Sequence, residues 1–178
     1  MSENTTDPQA TRAQGVLREM AALRRAWQGF QDHVPACLPI LAEACGAAVS
    51  LGSPAAERAP LIGAFSLQVE AFTRMDLAMT AVWTSDIKAP PGSTVSKANG
   101  DRLVGVALVL LPGRGPEHAA YSWLFTAQGL SNVRPSGAQA ADESHVMTRP
   151  EGARSLLRLA VAEALLAPGR ALLPALRV

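Results

Sequence analysis

The sequence predicts an α+β fold in two layers: an N-terminal helical hairpin, a three- to four-stranded antiparallel meander and a C-terminal helix. Three observations carry that expectation. Apolar residues recur every three or four positions from Val16 to Ala48 and again from Leu157 to Leu165. Between those stretches, in Phe65–Trp83 and Tyr121–Ala127, apolar and polar residues alternate with a period of two. Leu103 to Leu111 form an unbroken apolar run, the pattern of a strand buried on both faces.

Residues 1–10 are polar and acidic and are expected to be disordered. The first helix is predicted from Thr11. Val16, Met20, Leu23, Trp27, Phe30 and Val34 follow spacings of 4, 3, 4, 3 and 4, a heptad seam. Pro35 is predicted to end this helix. A second helix then opens at Ala36, with Pro39 tolerated in its first turn and Leu38, Leu41, Cys45 and Ala48 on its apolar face. Gly52-Ser53-Pro54 stops it, so the hairpin spans 11–52 and residues 53–60 form a linker.

Phe65, Leu67, Val69 and Ala71 alternate with Ser66, Gln68 and Glu70, and Met75, Leu77, Met79, Ala81 and Trp83 do the same after a turn near Phe72–Arg74. A helix through Phe65, Val69, Phe72 and Met79 is the competing reading. Residues 84–101 are rich in Pro, Gly and Ser and read as a loop. The run Leu103–Leu111 is half the length of a membrane span, which needs about 20 apolar residues, and Arg102 and Arg114 bracket it. The Pro112-Gly113-Arg114-Gly115 that follows is not a phosphate loop, because Pro116 has no amide to donate and no lysine comes after it. It is a turn. Tyr121, Trp123, Phe125 and Ala127 mark the last strand, closing a sheet over 65–127. Residues 128–147 have no period, and loops that long are functional or disordered. Thr148 and Glu151 have capping-box spacing, which opens a C-terminal helix over 148–167. Pro168-Gly169 breaks it, and the apolar tail docks on the core. With helices on one face, the doubly apolar strand needs cover on its other side from the tail, the hairpin or a second subunit.

At 178 residues and 48% hydrophobic content, the chain suits a single globular domain. Net charge is +1, so no overall field steers it to nucleic acid or an anionic membrane. Lys88 and Lys97 are the only lysines among 16 cations, and with abundant alanine this points to a GC-rich bacterial gene. "MSENTTDPQATR" has neither a basic nor an apolar leader region, which makes the cytoplasm the expected compartment. Cys37 and Cys45 sit eight residues apart in a helical segment. That separates their α-carbons by roughly 12 Å, too far for a disulfide, and both are read as small core residues.

Catalytic candidates are thin. His33, His118 and His145 form no metal-ligand pair with one another or with cysteine. His33 suits a helix C-terminus, and His118 beside Glu117 suits a solvated turn. His145 follows Asp142-Glu143-Ser144, the one place where an acid, a hydroxyl and an imidazole crowd together. Catalysis requires them to be oriented in space, not adjacent in sequence. Glu70 and Asp76 fall on polar positions of neighbouring strands and would form an acid/base pair if a hairpin brought them together; a wet sheet face is the simpler reading. Ser131, Ser136 and Ser144 lack the setting of a nucleophile elbow. Residues 149–178 carry five arginines against two glutamates, and Arg18, Arg24 and Arg25 lie on the first helix. They could grip phosphates, but a solvated helix face explains them more simply. Trp27, Trp83 and Trp123 occupy apolar positions and read as core.

The expectation is therefore a non-catalytic bacterial accessory protein, a protein–protein interaction module with no catalytic, cofactor or metal site assigned. Its partner is another protein or a second copy, a homodimer in the latter case; nucleic acid and membrane are disfavoured. The contact is expected at the end of the helical seam farthest from Pro35, at Val16, Met20 and Leu23. The rivals are a small-molecule-binding or small-molecule-converting α+β enzyme and a nucleic-acid accessory factor using the terminal arginines.

Overall fold

The computed structural model describes residues 8–53, 61–70, 73–85, 95–97, 99–133 and 146–172, with side chains described as far as residue 167. The chain runs α1 (Pro8–Cys45), β1 (Val49–Gly52), β2 (Ile62–Val69), β3 (Thr73–Thr84), β4 (Arg102–Leu110), β5 (Tyr121–Phe125) and α2 (Pro150–Leu172), with a 3₁₀ turn at Pro116–His118. The strands form one five-stranded antiparallel sheet in the order β1-β2-β3-β4-β5, a simple meander. The α+β class and the meander are as the periodicity predicts.

The predicted helical hairpin is instead one helix. α1 continues through Pro35 and Pro39 without a turn. A proline inside a helix costs about 3 kcal/mol, through the lost hydrogen bond and the clash with the carbonyl four residues back. Both prolines lie on the exposed side, where water can satisfy the freed carbonyls. On the opposite side Phe30, Val34, Cys37 and Leu41 are buried. Burying each large apolar side chain contributes about 1.5–3 kcal/mol, so the stripe outweighs the two interruptions. The seam keeps its 4, 3, 4 spacing across Pro35, through Cys37 rather than Leu38, which is half-buried beside it.

The chain then turns at Gly46, and Val49–Gly52, expected to end a second helix, forms β1, a strand beyond the three or four predicted. Only residues 8–10 of the segment expected to be disordered are described, and they are helical. Most of the predicted loop 84–101 lies outside the described residues, as do 134–145 of the loop 128–147 and the tail from 173. Of the described ends of the second loop, Ser131 bridges Phe125 of β5, and Leu130 and Val146 bridge each other. α2 opens at Pro150, which has no N–H to leave unsatisfied in the first turn, two residues after the predicted Thr148. It runs to Leu172, past Pro168, which costs a helix a hydrogen bond without forbidding it.

Both helices pack on one face. Leu67 and Val69 of β2, Met75, Leu77 and Met79 of β3, Leu103, Ala107 and Val109 of β4, and Trp123 and Phe125 of β5 meet the stripe of α1 and Ala153, Leu156, Leu157, Ala160, Val161 and Ala164 of α2. Two glycines make this contact fit. Gly105 pairs with Phe125, whose ring lies over it, and an added Cβ would run into the ring. Gly63 sits in the register shift between Ile62 and Phe65 at φ +59°, and a Cβ there would lie 2.8 Å from the Trp27 ring. The shift turns the Gly63 carbonyl toward α1, where it accepts from Trp27 Nε1 at 2.7 Å and Gln31 Nε2 at 3.0 Å.

β4 is buried on both faces, as its unbroken apolar run predicts. Val104, Leu108 and Leu110 point away from the helices and stand outside the cluster they form, yet their exposures are 0%, 7% and 8%. Ala78 of β3, the cross-strand partner of Leu108, is buried beside them.

Candidate functional site

α1 is 38 residues long, about 57 Å at 1.5 Å per residue, and its two ends differ. From Leu23 onward a core residue recurs every three or four positions. From Pro8 to Ala22 the single buried residue is Glu19. The three predicted contact residues divide accordingly. Leu23 is sealed in the core of its own chain, while Val16 and Met20 are half-buried against the edge of that core. A partner on this surface would touch Val16 and Met20, not Leu23.

A second stripe runs beside the first. Ala13, Leu17, Ala21 and Arg25 follow one another at four-residue steps, forming a single ridge along the helix. All four are exposed, Leu17 by 68%. Arg12, Arg18 and Arg24 are exposed on the same segment, and between Pro8 and Gln31 the sole carboxylate is the buried Glu19. The first turns of α1 therefore present a narrow apolar ridge with positive charge and no exposed acid. Leu17 stands one residue off the heptad seam, so a search for a single apolar stripe passes over it. The signal that could have found it is the leucine itself, at an off-seam position between two alanines.

The second constellation lies on the sheet face away from the helices. Ser66 and Asp76 are cross-strand partners on β2 and β3. Ser66 is fully buried and its hydroxyl donates to Asp76 Oδ1. The Arg74 guanidinium donates to Ser66 Oγ at 3.3 Å and to the Ser53 carbonyl at 2.6 Å, and its Nε lies 3.6 Å from Asp76 Oδ1. The network ties β2, β3 and the end of β1 together. Asp76 is thus engaged by Ser66 and Arg74, not by Glu70, which sits at the turn with its N–H bonded to the Ala48 carbonyl at 2.9 Å. The hairpin register separates the two carboxylates proposed as an acid/base pair, because Val69 pairs with Thr73 and Asp76 lies three residues further along β3.

Other candidates resolve individually. His33 Nε2 lies 3.0 Å from the Thr148 carbonyl. A carbonyl only accepts, so Nε2 carries the proton and His33 ties α1 to the start of α2. Thr148 also fills the space between Gly29 and Gly129. His118 is exposed, with Nδ1 3.2 Å from Glu117 Oε1. The Glu117 carboxyl is held below its ordinary pKa by a hydrogen bond from its own backbone N–H and by His118. Ser131 is buried, its hydroxyl donating to the Val133 carbonyl at 3.0 Å. His145, Asp142, Ser136 and Ser144 lie outside the described residues. Cys37 is buried and Cys45 half-buried. Burial raises the Cys37 thiol above its ordinary pKa, with the Arg154 guanidinium pulling the other way. Trp27 and Trp123 are core, while Trp83 is half-buried with Lys97 Nζ 4.9 Å from its ring centroid.

Among the described residues no group of three or more His, Cys, Asp or Glu side chains is placed to hold a metal ion. No described helix is long and apolar enough to cross a membrane. No protein-family model matches the chain, and no curated protein or solved structure matches it.

Proposed function

We propose that this protein is a non-catalytic interaction module that docks another protein along the first turns of α1. The observation that carries the proposal is the exposed ridge Ala13–Leu17–Ala21 flanked by arginines with no exposed carboxylate among them. An exposed apolar strip rimmed by charge is a recognition surface, and an amphipathic helix is read by a partner that offers an apolar groove. The partner expected here is a protein surface with such a groove and an acidic rim. A second copy fits this face poorly, since pairing it with itself would set arginines against arginines. The same arginines could contact phosphates, but nucleic-acid backbone has no use for Leu17, so the ridge favours a protein. Ser66, Asp76 and Arg74 satisfy one another's hydrogen bonds, which suits a strut between strands better than a reaction centre.

The test is a photo-crosslinking residue at position 17, compared with one at the exposed Ala162 of α2, in cells that make the protein. A protein captured at 17 and not at 162 is purified and titrated by calorimetry. Leu17→Glu is expected to weaken its binding at least tenfold, and added salt to weaken it further. Equal binding by Leu17→Glu, or equal capture at both positions, overturns the proposal. Retention of duplex DNA with a steep salt dependence would instead favour the nucleic-acid reading.

A further inference from the structure

Each residue of a helix is turned about 100° from the one before it, which fixes the surroundings of Leu17 on α1. Ala10, Ala13, Ala21 and Arg24 all lie within about 40° of it, and all are exposed. The two flanks of this row differ. On one, at about 60° and 100° from Leu17, Met20 and Val16 are half-buried at the edge of the core. On the other, at about 80° and 100°, Arg25 and Arg18 stand in solvent. The body of the domain therefore bounds an approaching element on the Met20 side, and arginine meets it on the other.

Arg18 and Arg25 are seven residues apart, a repeat of about 10.5 Å along the helix axis. Among the described residues neither they nor Arg24 form an ion pair. The first carboxylate after the buried Glu19 is Asp32, which accepts from Gln28 Nε2 at 2.9 Å and ends the positive stretch. Residues on one face of a strand repeat every ~6.7 or ~13 Å, out of step with the two arginines. A helix repeats its flank every seven residues, at the same ~10.5 Å. Alanine on either side of Leu17 also lets a second helix come close, to an axial separation of about 8 Å.

Resting on α1 as the docking surface, we propose that the docked element is an acidic amphipathic helix of another protein. Ridges of one helix seat in the grooves of another, so the groove that receives Leu17 lies between the apolar rows of the partner helix. Carboxylates seven residues apart on the flank of that helix face Arg18 and Arg25. A basic helix would set like charges side by side along the same flank.

Three synthetic peptides of three heptads each test it by fluorescence anisotropy. The first carries leucine on one face and glutamate on both flanks, which keeps it from pairing with itself. The second has lysine in place of glutamate. The third has the composition of the first with its apolar face scrambled. The wild-type protein is expected to bind the glutamate peptide at least tenfold tighter than either of the others, and Leu17→Glu to lose that advantage. Arg18→Glu with Arg25→Glu should reverse the preference toward the lysine peptide with unchanged circular dichroism, since both side chains are exposed. Arg158→Glu, exposed on α2, should leave the preference as it is. Equal binding of the glutamate and scrambled peptides would reduce the contact to net charge and overturn the proposal. So would a preference that survives the double reversal, or no binding at millimolar concentration. Phosphatidylserine vesicles held by the wild type and not by Leu17→Glu, without peptide binding, would give the ridge to a lipid surface instead. Capture at position 17 is a separate result: a protein crosslinked there through a strand or loop keeps the docking surface and removes the acidic helix.

Discussion

Replacing Pro35 with alanine should make the protein more stable. Because α1 is continuous, Pro35 lies in a helix interior, where proline is about 3 kcal/mol less favourable than alanine. Part of this is offset, because proline restricts the unfolded chain and thereby contributes about 0.4–1 kcal/mol that alanine gives up. The Pro35 side chain is exposed, so the substitution removes no core contact. It also restores an N–H for the Gln31 carbonyl, and it leaves the Gln31 side chain on Gly63. The net gain is about 2 kcal/mol. A domain of this size shifts by about 2–4 °C per kcal/mol, so the Tm should rise by about 4–8 °C. Thermal melts followed by far-ultraviolet circular dichroism measure it, with the urea midpoint as a second reading. Pro39→Ala should behave the same way. An unchanged or lowered Tm would mean that the helix ends at Pro35 after all, where proline stabilises a turn.

Leu108→Ala tests the second apolar face of β4. At 7% exposure it should cost about 2–5 kcal/mol in urea denaturation, whereas a change near zero would mark that face as open. Gly63→Ala should destabilise by about 1–3 kcal/mol and perturb Trp27 fluorescence, since a side chain at positive φ is strained and its Cβ meets the indole; a wild-type Tm would remove the register shift from the account. Cys45 should react with a thiol reagent at mild alkaline pH well before Cys37, and the reverse order would contradict their burial. Burial raises the folded-state pKa of Cys37 above the ordinary thiol value and, with Glu163 adding to it, that of Tyr121 above the ordinary phenol value. Below those values both groups are neutral in either state and cost nothing. As pH rises past about 9 the unfolded chain releases protons first, so stability should fall. Cys37→Ala should flatten the first part of that fall; an unaltered profile would rule the thiol out as its source.

The strands were legible wherever one side faces the helices, because the side-chain period of two then matches burial. Leu67, Val69, Met75, Leu77, Met79, Trp123 and Phe125 all face inward as their alternation implies. β1 was illegible, since four residues with one buried position carry no period. Pro35 misled because proline's local penalty is visible in sequence, while the tertiary burial that overrides it is not. The Ser66–Asp76 pair depends on hairpin register, which two alternating runs leave open by whole steps. At the α1 surface Val16 and Met20 were legible as the outer end of the seam, half-buried at the edge of the core. Leu23 was assigned one turn too far out, because sequence does not show where the domain body ends.

Six aromatic rings form one chain of contacts, from Phe65 and Trp27 through Phe30 to Trp123, with Phe125 against Trp27 and Tyr121 beside Trp123. Trp27 and Phe125 touch across 98 residues of sequence. On the ribosome α1 therefore emerges long before β5, and longer still before α2, which also covers it. At about 5–20 residues per second, the apolar side of α1 waits on the order of 5–20 s for Phe125, and longer for α2. During that interval the nascent chain depends on whatever shields a long amphipathic helix, and its yield in a foreign host should follow chaperone supply more closely than the stability of the finished fold.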